Sequence, residues 1–255
     1  MSIRAMVFDL DRTLLRSDRT ISPYTKSVLD RCREKGICSI IATARPPRAI
    51  GVYEKMICPD ASVTMNGASL RMNGKEMHSV SMEAETARRL IQAIHSLLPG
   101  RDWSLEVPSG LYASFDTSTV WEGPPAPRID ADTVPCERAY KVLVGLKEPE
   151  DIEILRSILP EHTYLEIAEG TLGMIIHEDA TKIKGVLAAL CALGVRPEEA
   201  AAFGDDLADI EMLKACGFGA AVENALPEVK AAADYVTESN DADGVAKWLE
   251  AHAGI

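Results

Sequence analysis

Ala5-Met6-Val7-Phe8-Asp9-Leu10-Asp11-Arg12-Thr13 is the stretch from which the fold is read: four apolar residues run directly into an acidic turn. A short, continuous apolar run bounded by polar turn residues suits a strand covered on both faces, as in a parallel sheet. The same form recurs at 37–42 and 200–203, with helix-like segments at 23–35, 184–193 and 209–215. Alternating strands and helices predict an α/β fold with a Rossmann-like, doubly wound parallel sheet. In such a sheet ligands bind in the crevice beyond the carboxyl ends of the strands, which is where Asp9 and Asp11 fall.

Between the second and third of these runs the texture changes. Segments 83–98 and 149–159 have helical periodicity, each followed by two strand-like pieces: 103–107 with 111–115, and 163–167 with 172–176. Segment 140–146 reads as a further strand. The pattern predicts an inserted α+β cap domain over 81–178, with 1–80 and 179–255 forming the catalytic core. Residues 122–135, rich in proline and poor in periodicity, read as a surface loop.

Bulk properties narrow the function. The formal net charge of −12 argues against nucleic acid and against an anionic membrane surface, both of which require a basic patch. A small anionic substrate would then be attracted by local cations, not by the field of the whole chain. A composition 47% apolar and 26% charged is that of a soluble globular enzyme. The six cysteines are scattered, without a Cys-x-x-Cys pair, and read as buried thiols of a reducing compartment. Met1 leads straight into a strand-like run with no signal-peptide pattern, and the longest uncharged stretch is too short to span a bilayer, so the expected location is cytoplasmic.

A second acidic cluster follows the third run: Gly204-Asp205-Asp206-Leu207-Ala208-Asp209. Asp at such a position also caps helices, a role that suits Asp209 better than Asp205. Two carboxylate clusters at the ends of buried strands repel each other by several kcal/mol unless compensated. A hard divalent cation with oxygen ligands removes that repulsion, so Mg2+ is the expected cofactor. Thr43 ends the run 37–42, where by itself it suits a β-branched strand residue, while its hydroxyl and the nearby backbone N–H groups, at Ala44 and Arg45, can also hold phosphate oxygens. Thr181-Lys182-Ile183-Lys184 opens an apolar helix. Lysine is disfavoured in a first helical turn by the macrodipole, which points to a charge-neutralising role for one of the pair, and position in the motif favours Lys184.

Taken in order, Asp-x-Asp-x-Thr, a strand-terminal Thr, a helix-opening Lys and Gly-Asp with a further Asp four residues on resemble the haloacid dehalogenase superfamily. The likeness to its Cof-like phosphatases runs nearly end to end, through Met65-Asn66-Gly67-Ala68, Glu223-Asn224-Ala225 and Ala233-Asp234-Tyr235-Val236-Thr237. The resemblance implies a phosphatase using an aspartyl-phosphate on Asp9, with Asp11 as acid and base. It implies Mg2+ held by the Asp9 side chain, the Asp11 carbonyl and Asp205, with Asp209 orienting them, and phosphoryl oxygens bound by Thr43 and Lys184. The substrate would be a small phosphorylated metabolite, a sugar phosphate in the first instance. Arg12 and Ala44 stand where the family commonly has glycine, which suggests backbone there without positive φ. Ala208 replaces a common Asn, removing a hydrogen bond near the metal. Arg45, Lys141 and Arg128 are read first as surface charges.

A sugar phosphomutase would share every core residue, returning the phosphoryl group to a sugar instead of water. A phospho-accepting receiver domain also combines acids, Thr and Lys around Mg2+, but it places its lysine last, whereas Lys184 precedes Asp205.

Overall fold

The computed structural model describes residues 2–121, 125–168 and 170–255. It divides into two compact units, Met1–Ser79 with Thr181–Ile255, and Val80–Ala180. The first opens with β1 (Ala5–Phe8), α1 (Pro23–Glu34), β2 (Cys38–Ala42), α2 (Gly51–Ile57), β3 (Ala61–Thr64), β4 (Ser69–Met72) and β5 (Lys75–Ser79). The second unit contains α3 (Ala84–Leu97), β6 (Trp103–Val107), β7 (Gly110–Ala113), β8 (Lys141–Gly145), α4 (Glu150–Ser157), β9 (Thr163–Ala168) and β10 (Leu172–His177). The chain then completes the first unit with α5 (Lys182–Ala192), β11 (Ala200–Gly204), α6 (Ile210–Ala215), β12 (Phe218–Ala221), α7 (Pro227–Ala232), β13 (Tyr235–Val236) and α8 (Gly244–His252).

Among the described residues the first unit's strands form one sheet in the order β13-β12-β11-β1-β2-β3-β4-β5. From β13 to β3 every pairing is parallel, and β4 and β5 are added antiparallel. β1 is central and wholly buried, with Phe8 opposite both Phe203 and Ile41. Each such side chain taken fully out of water contributes roughly 1.5–3 kcal/mol, so the middle of the sheet is rigid and its strand ends are fixed points. From β1 the chain steps outward through β2 and β3, and from β11 it steps the other way through β12 and β13. The topology therefore switches between β1 and β11, the place where an open α/β sheet forms its ligand crevice.

Helix starts in this unit are specified locally. Ser22 accepts the Thr25 N–H at 2.9 Å and Pro23 supplies the preset φ of a first helical residue. Thr181 caps α5 by accepting the Lys184 N–H at 3.4 Å.

The strands of the second unit run β7-β6-β8-β10-β9, all antiparallel. One sheet face is covered by Leu90, Ile91 and Ile94 of α3 and Leu155 of α4, packed on Trp103, Leu105, Val142, Val144 and Ile175. Residues 122–124 of the expected loop lie outside the described residues. The rest of it is irregular apart from a single turn of 3-10 helix at Ala131–Thr133 and a bridge from Arg128 to Ala113.

Two expectations need correcting here. Lys141 is a buried member of β8, not a surface charge, whereas Arg128 is exposed as expected, its Nε donating to the Ser114 carbonyl at 3.0 Å. Of the six cysteines only Cys32 and Cys216 are buried, where loss of solvation pushes their thiols up to about 11 and about 12. Cys58, Cys136 and Cys191 are exposed. No helix among the described residues is long and apolar enough to cross a membrane.

Candidate active site

The residue after β1 is Asp9, whose N–H donates to the Phe203 carbonyl of β11 at 3.1 Å, so the first residue of the acidic turn is still stitched to the sheet. Asp205 follows β11 directly. Asp9, Asp205 and Asp209 are all buried, and one carboxylate oxygen from each lies within 4.8 Å of the others. Two full charges at that separation repel by about 3–4 kcal/mol at an effective dielectric of ~20.

Lys182 supplies the compensation. Its Nζ donates to Asp9 Oδ1 at 2.8 Å and to Asp209 Oδ1 at 2.6 Å, with the lysine 5% exposed. Burial opposes its charge, but the two carboxylates outweigh that and raise its pKa. Asp9 is nevertheless pushed up to about 7, first by burial and then by Asp209 and Asp205, with Lys182 pulling the other way. Burial likewise lifts Asp205 to about 6, against the hydrogen bond it accepts at Oδ1 from Thr13 Oγ1 at 2.9 Å.

Asp209 has a different task from its two neighbours. Oδ1 is engaged by Lys182, and Oδ2 accepts the N–H groups of Asp205 and Asp206 at 3.0 and 3.1 Å. Both oxygens are occupied in holding the loop that carries Asp205. Gly204 makes this approach possible, since a Cβ there would stand 2.4 Å from the Asp209 side chain.

The lysine expectation is therefore corrected: Lys182, not Lys184, meets the carboxylates, and Lys184 is exposed. The signal was available. Lys182, Gly185, Val186, Ala189 and Leu190 are the buried residues of α5, the i, i+3, i+4, i+7, i+8 stripe of a core-facing helix, and Lys184 lies off it. The start of this helix is also seated against residues 65–67. Met65, Asn66 and Gly67 have φ of 52°, 54° and 98°, and a Cβ on Gly67 would lie 2.0 Å from the Thr181 carbonyl oxygen.

Thr43, buried at the end of β2, donates its N–H to Val63 and accepts the Asn66 N–H on its carbonyl. Its Oγ1 accepts the Arg45 N–H at 3.2 Å. Asp11 points its carboxylate elsewhere than the buried trio: Arg45 grips it with Nε at 2.6 Å and Nη2 at 2.5 Å, and the same guanidinium lies 5.1 Å from the Tyr53 ring centre. That grip raises the already high pKa of Arg45. Ala44 has no positive φ, in line with the reading of the sequence, but Arg12 does, at 59°. The Arg12 carbonyl accepts the Asn224 side-chain amide at 2.7 Å, a support that arrives from far along the chain.

The model of the haloacid dehalogenase-like hydrolases matches residues 6–249; the chain belongs to that family and is a phosphatase of its type. A Haemophilus influenzae protein provisionally named a phosphatase is 30% identical over 264 residues, covering 98% of each chain. The Bacillus subtilis 5-amino-6-(5-phospho-D-ribitylamino)uracil phosphatase YitU is 27% identical, covering 98% of this chain and 97% of its own. Among solved structures, a subclass IIB sugar phosphatase of the superfamily superposes with a TM-score of 0.83 over 99% of this chain and all of that one, at 24% identity, a likeness of fold.

Proposed function

We propose that the chain is a Mg2+-dependent phosphomonoesterase acting on a small phosphorylated metabolite, a sugar phosphate or sugar-alcohol phosphate, through an acyl phosphate on Asp9. The observation that carries this reading is the buried trio Asp9, Asp205 and Asp209 at the topological switch, neutralised on one side by Lys182. The donor set fits Mg2+: hard carboxylate oxygens, with Oδ2 of Asp9 and Oδ2 of Asp205 left over once the Lys182, Thr13 and Asp209 loop contacts are made. Asp9, the Asp11 carbonyl and Asp205 would hold the ion, which when bound supplies positive charge for the carboxylates and the phosphoryl oxygens.

Asp9, ionised beside Lys182, attacks phosphorus as the bond to the leaving oxygen breaks. Asp11 gives its proton to that oxygen, then takes one from the water that attacks the acyl phosphate, releasing inorganic phosphate and restoring Asp9. To reach the leaving oxygen, Asp11 must first leave the fork of Arg45, which occupies both of its carboxylate oxygens. Thr43 and the backbone N–H of Ala44 bind phosphoryl oxygens, Asp209 keeps the Asp205 loop in place, and Lys182 takes the charge-neutralising role first given to Lys184. Residues 81–178 serve as the cap. The sugar-phosphate reading is supported by two relatives, one named a sugar phosphatase and one named for a phosphoribityl compound.

The test is phosphate release from a panel of sugar phosphates, phosphoribityl compounds and an aryl phosphate, with and without Mg2+. Asp9→Asn is expected to lower turnover on the order of 10³-fold or more, as loss of a nucleophile does. Turnover that survives in Asp9→Asn, or that ignores Mg2+, overturns the mechanism.

A further inference from the structure

The turn after β1 is held from a direction that the reaction chemistry does not explain. Arg12 occupies the left-handed region at φ 59°, a conformation that glycine takes readily and other residues resist. Its carbonyl accepts Asn224 Nδ2 at 2.7 Å; Asn224 Oδ1 in turn accepts the Asn240 N–H at 2.9 Å, and Asn240 Nδ2 donates to the Leu15 carbonyl at 3.0 Å. Asn240 is buried, so its amide is locked in this role. Two residues from distant loops thus grip both ends of Arg12–Leu15. The grip continues outward, with Arg16 on Asp243 and Ser17 on Asp241.

Thr13 lies inside the gripped segment. It is buried, and its hydroxyl donates to Asp205 Oδ1. The loop that carries Asn224 also reaches Asp205 directly, through the Leu226 N–H to the Asp205 carbonyl at 3.0 Å. Any slackening at Arg12 is therefore passed to Thr13 and from there to a carboxylate of the acidic trio.

We infer that Asn224 and Asn240 form a clamp that stabilises the left-handed turn at Arg12 and so sets Thr13 against Asp205, which makes them positioning residues for the acidic site. The inference rests on the metal-binding reading of that site for one of its readouts only. A simple packing role would affect global stability; a positioning role affects the turn and the site, and is relieved when the left-handed strain is removed.

The experiment compares wild type, Asn224→Ala, Arg12→Gly and the double variant. Exchange of the Leu14 and Leu15 amides, which bond to Asp9 and Leu10, is followed in protein without added metal. Mg2+ affinity is measured by calorimetry without substrate, and kcat and KM with an aryl phosphate. Loss of a hydrogen bond to the turn is expected to speed exchange about tenfold and weaken Mg2+ about tenfold, with KM within about twofold of wild type. Adding Arg12→Gly should recover most of both losses, because glycine takes the left-handed conformation without steric strain. Exchange and Mg2+ affinity that stay within about twofold of wild type, a difference too small for a lost hydrogen bond, would overturn the clamp, as would losses that Arg12→Gly leaves unrelieved. If Asn224→Ala does not fold, the isosteric Asn224→Asp, which keeps the acceptor for Asn240 and removes only the donor to Arg12, is read by the same outcomes. Wild-type protein that binds no Mg2+ would sink the metal reading, while exchange at Leu14 and Leu15 would still decide the clamp.

Discussion

Lys182 Nζ lies 2.8 Å from Asp9 Oδ1, and both side chains are shut away from solvent. Removing the ammonium leaves Asp9 and Asp209 as buried like charges with nothing opposite them. Lys182→Ala should therefore lower stability by about 3–5 kcal/mol, the range for breaking a buried ion pair, and abolish phosphatase activity. Lys184→Ala, on the exposed side of the same turn, should stay within about 0.5 kcal/mol and keep its turnover. Urea denaturation and phosphate-release assays on the two variants check this; equal effects would show that the stripe was misread.

Asp9 and Asp205 give the protein without bound metal a particular dependence on pH. Both carboxyls titrate higher folded than unfolded, at about 7 and about 6 against a usual 3.8. The folded state thus binds protons more tightly, and stability falls as pH rises from about 4 to about 7. Without divalent cation, melting temperature should fall across that window, and Mg2+ should raise it more at pH 7.5 than at pH 5. Asp9→Asn should flatten the trend, and a melting curve that rises with pH would contradict the assignment.

In the second unit Asp151 accepts Arg101 Nε at 2.7 Å and Nη2 at 3.0 Å, and its Oδ2 also accepts the Lys147 and Glu148 N–H groups. The Arg101 bonds, with the two backbone donors, outweigh burial and hold its carboxyl down at about 2. A depressed pKa contributes stability that is complete above about pH 4 and is lost as pH falls toward 2. Asp151→Ala should destabilise by about 2 kcal/mol at neutral pH, as expected for charged hydrogen bonds lost in a buried place, and erase that acid dependence. Denaturation series at pH 7 and pH 3 measure both.

Gly67→Ala should be among the most damaging of small substitutions. It requires positive φ from a residue with a Cβ and drives that atom into the Thr181 carbonyl. A loss of about 2–3 kcal/mol is expected from strain and overpacking together. Because Thr181 caps the helix bearing Lys182, kcat should fall even where the protein remains folded. Unchanged kcat in folded Gly67→Ala would show that the seat does not govern the lysine.

What could be read in advance was whatever the chain writes locally. Asp9 and Asp205 announce themselves by following buried strands, and the halves of the second unit by a repeated helix and strand pair. The short outer strands β12 and β13 went unread as strands because four and two residues carry too little period. Lys182 is legible in the stripe of α5, whereas position in the motif alone favours Lys184. The left-handed Arg12 was not legible at all: its support comes from Asn224, more than two hundred residues away, and no local propensity records such a debt. The Arg45 fork on Asp11 was hidden for the same reason, since it depends on where two separate strand ends arrive.

The chain leaves the first unit after Ser79 and re-enters it at Thr181, one residue ahead of Lys182. The lysine is thus joined covalently to the insert but anchored by Gly67, Asp9 and Asp209, all outside it. An insert of another length or architecture, spliced between the same two residues, would inherit the charge balance intact. Change within the second unit and change at the acidic trio can therefore proceed separately along the chain.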